Sequence, residues 1–208
     1  MSNLTNDTIG GFNSMIEKEK KLDVDAHVTT VLFNDQYKML YNRRELKDVS
    51  KMTDKDYTPG GMTALLDAVG RTIHKMDMVA GIHRKDKGNK VLFVIITDGE
   101  ENDSKEYTYA DVKKLIKDRQ ENAGWEFIFL GANIDAAAAA ENLGIDRDRA
   151  VKYKNTGSGV RANFKAVAEL SDSLAKSGRV SDEWKETVEK DEDDAADKQS
   201  AAVTLHRR

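Results

Sequence analysis

Apolar and polar positions along this chain follow two rhythms. Val28 to Phe33 (VTTVLF) is β-branched and apolar, and Tyr37 to Tyr41 (YKMLY) alternates. Asn34-Asp35 between them are turn residues, so the pair predicts a β-hairpin. Val91 to Thr97 (VLFVIIT) is a continuous apolar run, the pattern of a central strand buried on both faces of a parallel sheet. Phe127 to Leu130 (FIFL), led in by Trp125, is a second such run, and Ala150 to Tyr153 is a weaker strand.

Between these runs the spacing turns helical. Thr8 to Leu22 places Ile9, Phe12, Met15 and Ile16 on one face. Ala64 to Val79 repeats the pattern through Leu65, Leu66, Val69, Ile73 and Met76. Thr108 can cap a helix carrying Val112, Leu115 and Ile116, with Asp111 in a capping-box position. Asp135 to Leu143 is alanine-rich and stops at Gly144. Val160 to Leu174 is the last amphipathic helix. Apolar strands alternating with helices predict an α/β fold with a mostly parallel sheet. From Ser181 the composition shifts to charge, notably Glu189 to Asp194 (EKDEDD). The expected organisation is a domain over residues 1–180 and a charged, disordered tail over 181–208.

A length of 208 residues suits one domain with a short appendage, and 39% hydrophobic residues suffice for one core. Basic and acidic residues number 33 and 37, a formal charge of −4, which lacks the basic footprint of general nucleic-acid binding. The absence of cysteine excludes disulfides, thiolate zinc sites, iron–sulfur clusters and cysteine nucleophiles, and fits a reducing cytosol. No stretch approaches the roughly 18 apolar residues of a membrane helix, and Met1 to Lys21 contains no signal-peptide core. The chain is therefore expected in the cytoplasm, with neither nucleic acid nor membrane as partner.

In open α/β sheets, ligands bind beyond the carboxyl ends of the strands. After VLFVIIT comes Asp98-Gly99-Glu100-Glu101-Asn102, which either places a carboxylate for a charged ligand or simply turns the chain. The other candidate is Pro59-Gly60-Gly61-Met62-Thr63, where Thr63 is either a helix cap or a ligand. Phosphate-loop, nucleophile-elbow and dinucleotide fingerprints are missing. None of His27, His74, His83 and His206 sits at a metal spacing from another, and surface positions are expected for His74 and His83. Without cysteine or a placed histidine, a nucleophile–base pair is hard to assemble.

Taken together, DTIGGFNSMI, TTVLF, PGGMTALLDAVGRTI, VLFVIITDGEEN and WEFIFLGANIDA resemble small bacterial and phage von Willebrand factor type A (vWA) domains, from about Thr8 to about Leu174. The resemblance implies a doubly wound, Rossmann-like sheet with helices on both faces. It also implies a metal-ion-dependent adhesion site at the carboxyl edge, holding Mg²⁺ (or Mn²⁺). Thr63 and Asp98 match two of that site's ligand positions, with Gly60, Gly61 and Gly99 supporting the loops. A hard cation held by few carboxylates stays electrophilic, so a protein partner's acidic side chain can complete its shell.

The D-x-S-x-S motif of the family occurs nowhere, and Met1 begins where it should already have ended. The resemblance therefore implies a truncated chain lacking the family's central first strand, with a genuine metal-free variant as the alternative. The strands at Val28–Phe33 and Val91–Thr97 are expected to lie adjacent or to flank a vacant strand position. One threonine and one aspartate are too few for a stable site, so metal binding is expected to be weak or absent. The leading expectation is a protein-interaction module rather than an enzyme. The alternatives are a metal-dependent hydrolase or phosphatase using Asp98, and a product without activity.

Overall fold

The computed structural model describes residues 4–22, 24–82 and 90–190. His83, His206 and residues 191–194 of the acidic run lie outside the described residues. The chain begins with α1 (Thr5–Glu19), then β1 (His27–Phe33) and β2 (Tyr37–Glu45), a 3₁₀ turn at Leu46–Asp48, and α2 (Leu65–Ile82). Next come β3 (Leu92–Thr97), α3 (Tyr109–Ala123), β4 (Glu126–Gly131) and α4 (Ala136–Leu143). A 3₁₀ turn at Arg147–Arg149, β5 (Ala150–Lys152) and α5 (Gly157–Ser177) follow.

Helix ends obey local chemistry. Thr108 caps α3 in a complete capping box with Asp111, and Asp135 accepts from the Ala138 amide at the start of α4. α4 stops at Gly144, which holds a left-handed conformation. α5 starts earlier than the apolar pattern indicates, because Thr156 accepts from the Gly159 amide and fixes its first turn.

The fold is mixed α/β, with a parallel sheet flanked by helices. β3, β4 and β5 form that three-stranded sheet, with Leu92 opposite Glu126 and Thr97 opposite Gly131. β1 and β2 form a separate antiparallel hairpin. The single sheet expected from the sequence is not formed among the described residues. Among the described residues β1 and β3 are not hydrogen-bonded neighbours, and each pairs on one edge only.

Side chains alternate across the parallel sheet as the pleat requires. Phe93, Ile95, Phe127 and Phe129 face a core with Leu65, Leu66, Val69 and Ile73 of α2 and with α3 and α4. Leu92, Val94, Ile96, Ile128 and Leu130 face the other core, with Val160, Ala166, Leu170 and Leu174 of α5. A third core joins Phe12 and Ile16 of α1 to Val28, Leu32, Leu46, Val49 and Met52. Phe164 of α5 belongs to both of these last two cores and meets Phe12 edge-on at 6.3 Å between ring centroids.

Within the segment expected to be a tail, residues 184–190 are helical, and Trp184 and Val188 are buried, together with Val180 just before that segment, against the α5 side of the sheet. Trp184 and Val188 are four residues apart, so one helical face presents both. The surrounding charges conceal this short apolar stripe in the composition. No helix among the described residues is long and apolar enough to cross a membrane.

Candidate functional site

The loops after β3 and before α2 meet at the carboxyl end of β3. Thr97 closes the strand with its own hydroxyl, which donates to the Gly99 carbonyl at 2.9 Å and accepts from the Gly99 amide at 3.3 Å. The chain is thereby turned so that Gly99 faces Thr63: a Cβ at Gly99 would lie 3.2 Å from Thr63 Oγ1. Asn102 locks the two loops together. Its Oδ1 accepts from the Thr63 amide at 2.7 Å, and its own amide donates to the Thr63 carbonyl at 3.0 Å.

The third wall is the β1–β2 turn. The Asn34 carbonyl accepts from the Ala64 amide at 2.9 Å, and Asn34 Nδ2 donates to the Gly60 carbonyl at 2.7 Å. Gly61 sits here at φ +87°, in the left-handed region, and a Cβ on it would run into Asp35. The sequence pair Gly60-Gly61 is thus needed to pass the loop across the hairpin turn.

Thr63 is not the cap of α2. The first amides of that helix are met instead by the loop after β3: Leu66 donates to Glu101 Oε2 at 2.9 Å and Asp67 donates to Ser104 Oγ at 3.1 Å. Glu101 also accepts from the Asp103 and Ser104 amides, at 2.9 and 2.8 Å. That leaves the Thr63 hydroxyl with no hydrogen bond among the described residues.

Asp98, half-buried, lies between Gly99 and the strand. The Asn133 amide reaches its carbonyl at 3.5 Å. Its charge is felt by two phenols, buried Tyr153 and half-buried Tyr57: burial first, then Asp98, pushes both above the ordinary tyrosine value. Met62 and Tyr109, two large side chains beside this cluster in sequence, are 50% and 43% exposed.

Asp67 supports the site from beneath. Only 6% exposed, its carboxylate accepts from the amides of Lys105, Glu106 and Tyr107 at 2.9–3.0 Å. Burial works to raise its pKa. The three amide donors, aided by Arg71, outweigh that and hold it below the usual carboxylate range.

Sequence reasoning singled out Thr63, Asp98, Gly60, Gly61 and Gly99, and the structure gathers Thr63 and Gly99 at one edge. It held Glu101 and Asn102 only within the stretch after VLFVIIT, without their bonding roles, and missed Asp67. A signal for Asp67 existed, since it is an acid among apolar neighbours at core spacing in LLDAVG. His74 is on α2, where its Nδ1 lies 3.2 Å from Tyr107 Oη and 3.3 Å from the Gly70 carbonyl.

The donor set is small for a hard cation. Thr63 offers one neutral oxygen and Asp98 one carboxylate, and no group of three or more His, Asp or Glu among the described residues could hold a metal ion. These residues alone do not fit a Mg²⁺ centre, which needs a near-octahedral oxygen shell. No protein-family model matches the chain, and no curated protein matches it.

Proposed function

We propose that this chain is a protein-binding module of vWA type, working in the cytoplasm rather than as an enzyme. Its contact surface is the loop cluster at the carboxyl end of β3. In this reading the hairpin and the parallel sheet are two parts of one doubly wound arrangement, and the strand between β1 and β3 is not among the described residues. The observation that carries the reading is the convergence of three loops, through Asn34, Thr63 and Asn102, on one edge. They present beside Gly99 a threonine hydroxyl that has no hydrogen bond among the described residues, next in sequence to exposed Met62, while Tyr109 of the following helix is also exposed. Exposed methionine and tyrosine around a polar centre suit a protein partner.

The chain itself binds Mg²⁺ or Mn²⁺ weakly or not at all, because two oxygen donors leave most of the shell to water. Partner capture with the full chain, compared with Met62→Asp and Asp98→Ala variants shown to fold, tests the binding surface. A specific partner lost on both substitutions supports it, and one retained by both overturns it. Calorimetric titration with Mg²⁺ tests the metal part. Tight, saturable binding unaffected by Asp98→Ala would mean that the site lies elsewhere. Hydrolysis of p-nitrophenyl phosphate abolished by Asp98→Ala would establish the enzymatic alternative.

A further inference from the structure

A cleft of about 140 Å³ lies between the β1–β2 turn, the start of α2 and the loop that follows Asn102. Phe33, Ala64 and Ala68 give it apolar surface. Asp35 stands on one wall, its carboxylate packed over Gly61, where any side chain would run into it. The turn that carries Asp35 is tied across to the next loop by Asn34, through the Gly60 carbonyl and the Ala64 amide. Asp35 and Gln36 are exposed, so the mouth of the cleft opens to solvent.

The charged groups around the cleft are engaged with one exception. Arg71 clamps Glu106 through Nε at 2.8 Å and Nη2 at 2.7 Å. Lys105 pairs with Asp103 at 3.7 Å. The Asp67 carboxylate takes its three backbone amides. Lys75 lies over the Tyr37 ring, 4.5 Å from its centroid. Asp35 has neither a hydrogen bond nor an ion pair among the described residues. Counted together, these four carboxylates outnumber the three cations, which leaves the cleft negative.

Size, lining and charge select the occupant together. At about 30 Å³ for each water-sized group, the cleft admits about five heavy atoms. An anion would meet the excess of carboxylates. A hard metal ion would find one unengaged carboxylate where it needs a full oxygen shell. A wholly apolar group would bury Asp35 without a partner, which costs free energy. An ammonium on a short aliphatic stem meets all three conditions, with its head at Asp35 and its methylenes on Phe33, Ala64 and Ala68.

We propose that this cleft takes a primary alkylammonium group, the chemistry of a lysine side chain, with Asp35 as the acceptor for its head. A lysine presented by a protein partner and a free alkylamine share that group. The cleft carries this assignment by itself, whatever the loop cluster binds.

The test is a nuclear magnetic resonance titration of the full chain with three probes: n-butylammonium, Nα-acetyl-lysine N-methylamide and Nα-acetyl-norleucine N-methylamide, which keeps the stem and lacks the charge. Expected are saturable shifts at the Gln36, Ala68 and Lys105 amides with a millimolar Kd, and binding of the norleucine probe weaker by about threefold or more. Asp35→Asn should weaken both charged probes by about the same factor, and added salt should weaken them too. Tighter binding of the blocked lysine than of n-butylammonium assigns the cleft to a partner's lysine, and equal or weaker binding assigns it to a free alkylamine. Equal affinity for the lysine and norleucine probes would overturn the proposal, and this comparison is made on the unaltered chain. Undiminished binding to a folded Asp35→Asn variant would overturn it as well. So would the absence of saturable shifts, the result expected if the chain's own residues or a second copy fill the cleft.

Discussion

Replacing Asp67 by alanine tests how the candidate site is held. The Asp67 carboxylate gathers the amides of Lys105, Glu106 and Tyr107 onto α2, next to the Glu101–Ser104 stretch that caps the same helix. A hydrogen bond to a charged group contributes about 1.5–3 kcal/mol. Three of them do not add in full, because the 105–107 loop is near the surface and water can reach amides left unpaired. A loss of about 2–4 kcal/mol is expected for Asp67→Ala, a large share of a typical total of about 5–15 kcal/mol. Asp67→Asn keeps one acceptor but turns an amide group toward N–H donors, so it also loses stability.

The pH dependence follows from linkage. Because the folded-state pKa is lowered, the contribution of Asp67 is complete above the unfolded value of about 3.9 and is lost as pH falls through the folded value. Urea unfolding at neutral and acid pH measures this: the gap between wild type and Asp67→Asn should narrow on acidification. Hydrogen exchange at the three amides should quicken in both variants. A neutral-pH loss below about 1 kcal/mol, or a gap independent of pH, would refute the role assigned to Asp67.

Trp184→Ala should cost about 3–5 kcal/mol, because its ring is 1% exposed among Val180, Val188 and the α5 core; a thermal melt unchanged from wild type would show that residues 184–190 do not belong to the fold. Burial raises the pKa of Glu19, only partly countered by the Ser171 hydroxyl that donates to it at 2.7 Å. A raised folded-state pKa adds stability at low pH that is lost as pH rises through it, so Glu19→Gln should gain on wild type as pH climbs from the unfolded value of about 4.3 through the raised folded value, and a flat difference in urea midpoints would contradict this. Gly61→Ala should destabilise by about 1–3 kcal/mol, since φ is +87° and the new Cβ meets Asp35; an unchanged calorimetric melt would show that the loop shifts freely.

The sequence alone determined the elements whose causes are local. The hairpin after Val28, the Thr108–Asp111 capping box and the Asp135-to-Gly144 helix are all present, because turn residues, caps and apolar spacing act over a few positions. It also marked Thr63 and Asp98 as edge residues, through glycines and strand ends that declare themselves in order. Tertiary structure decided the rest. Whether VLFVIIT becomes a central or an edge strand depends on which neighbours bond to it, and periodicity records burial preference rather than pairing. The cap of α2 comes from Glu101 and Ser104, more than thirty positions away, so local reading assigned the task to Thr63. Trp184 and Val188 are drawn into the core by the face that α5 offers, although charge dominates the segment around them. Contacts between positions distant in sequence leave no local pattern, because each partner's composition suits many neighbours, and only packing selects one.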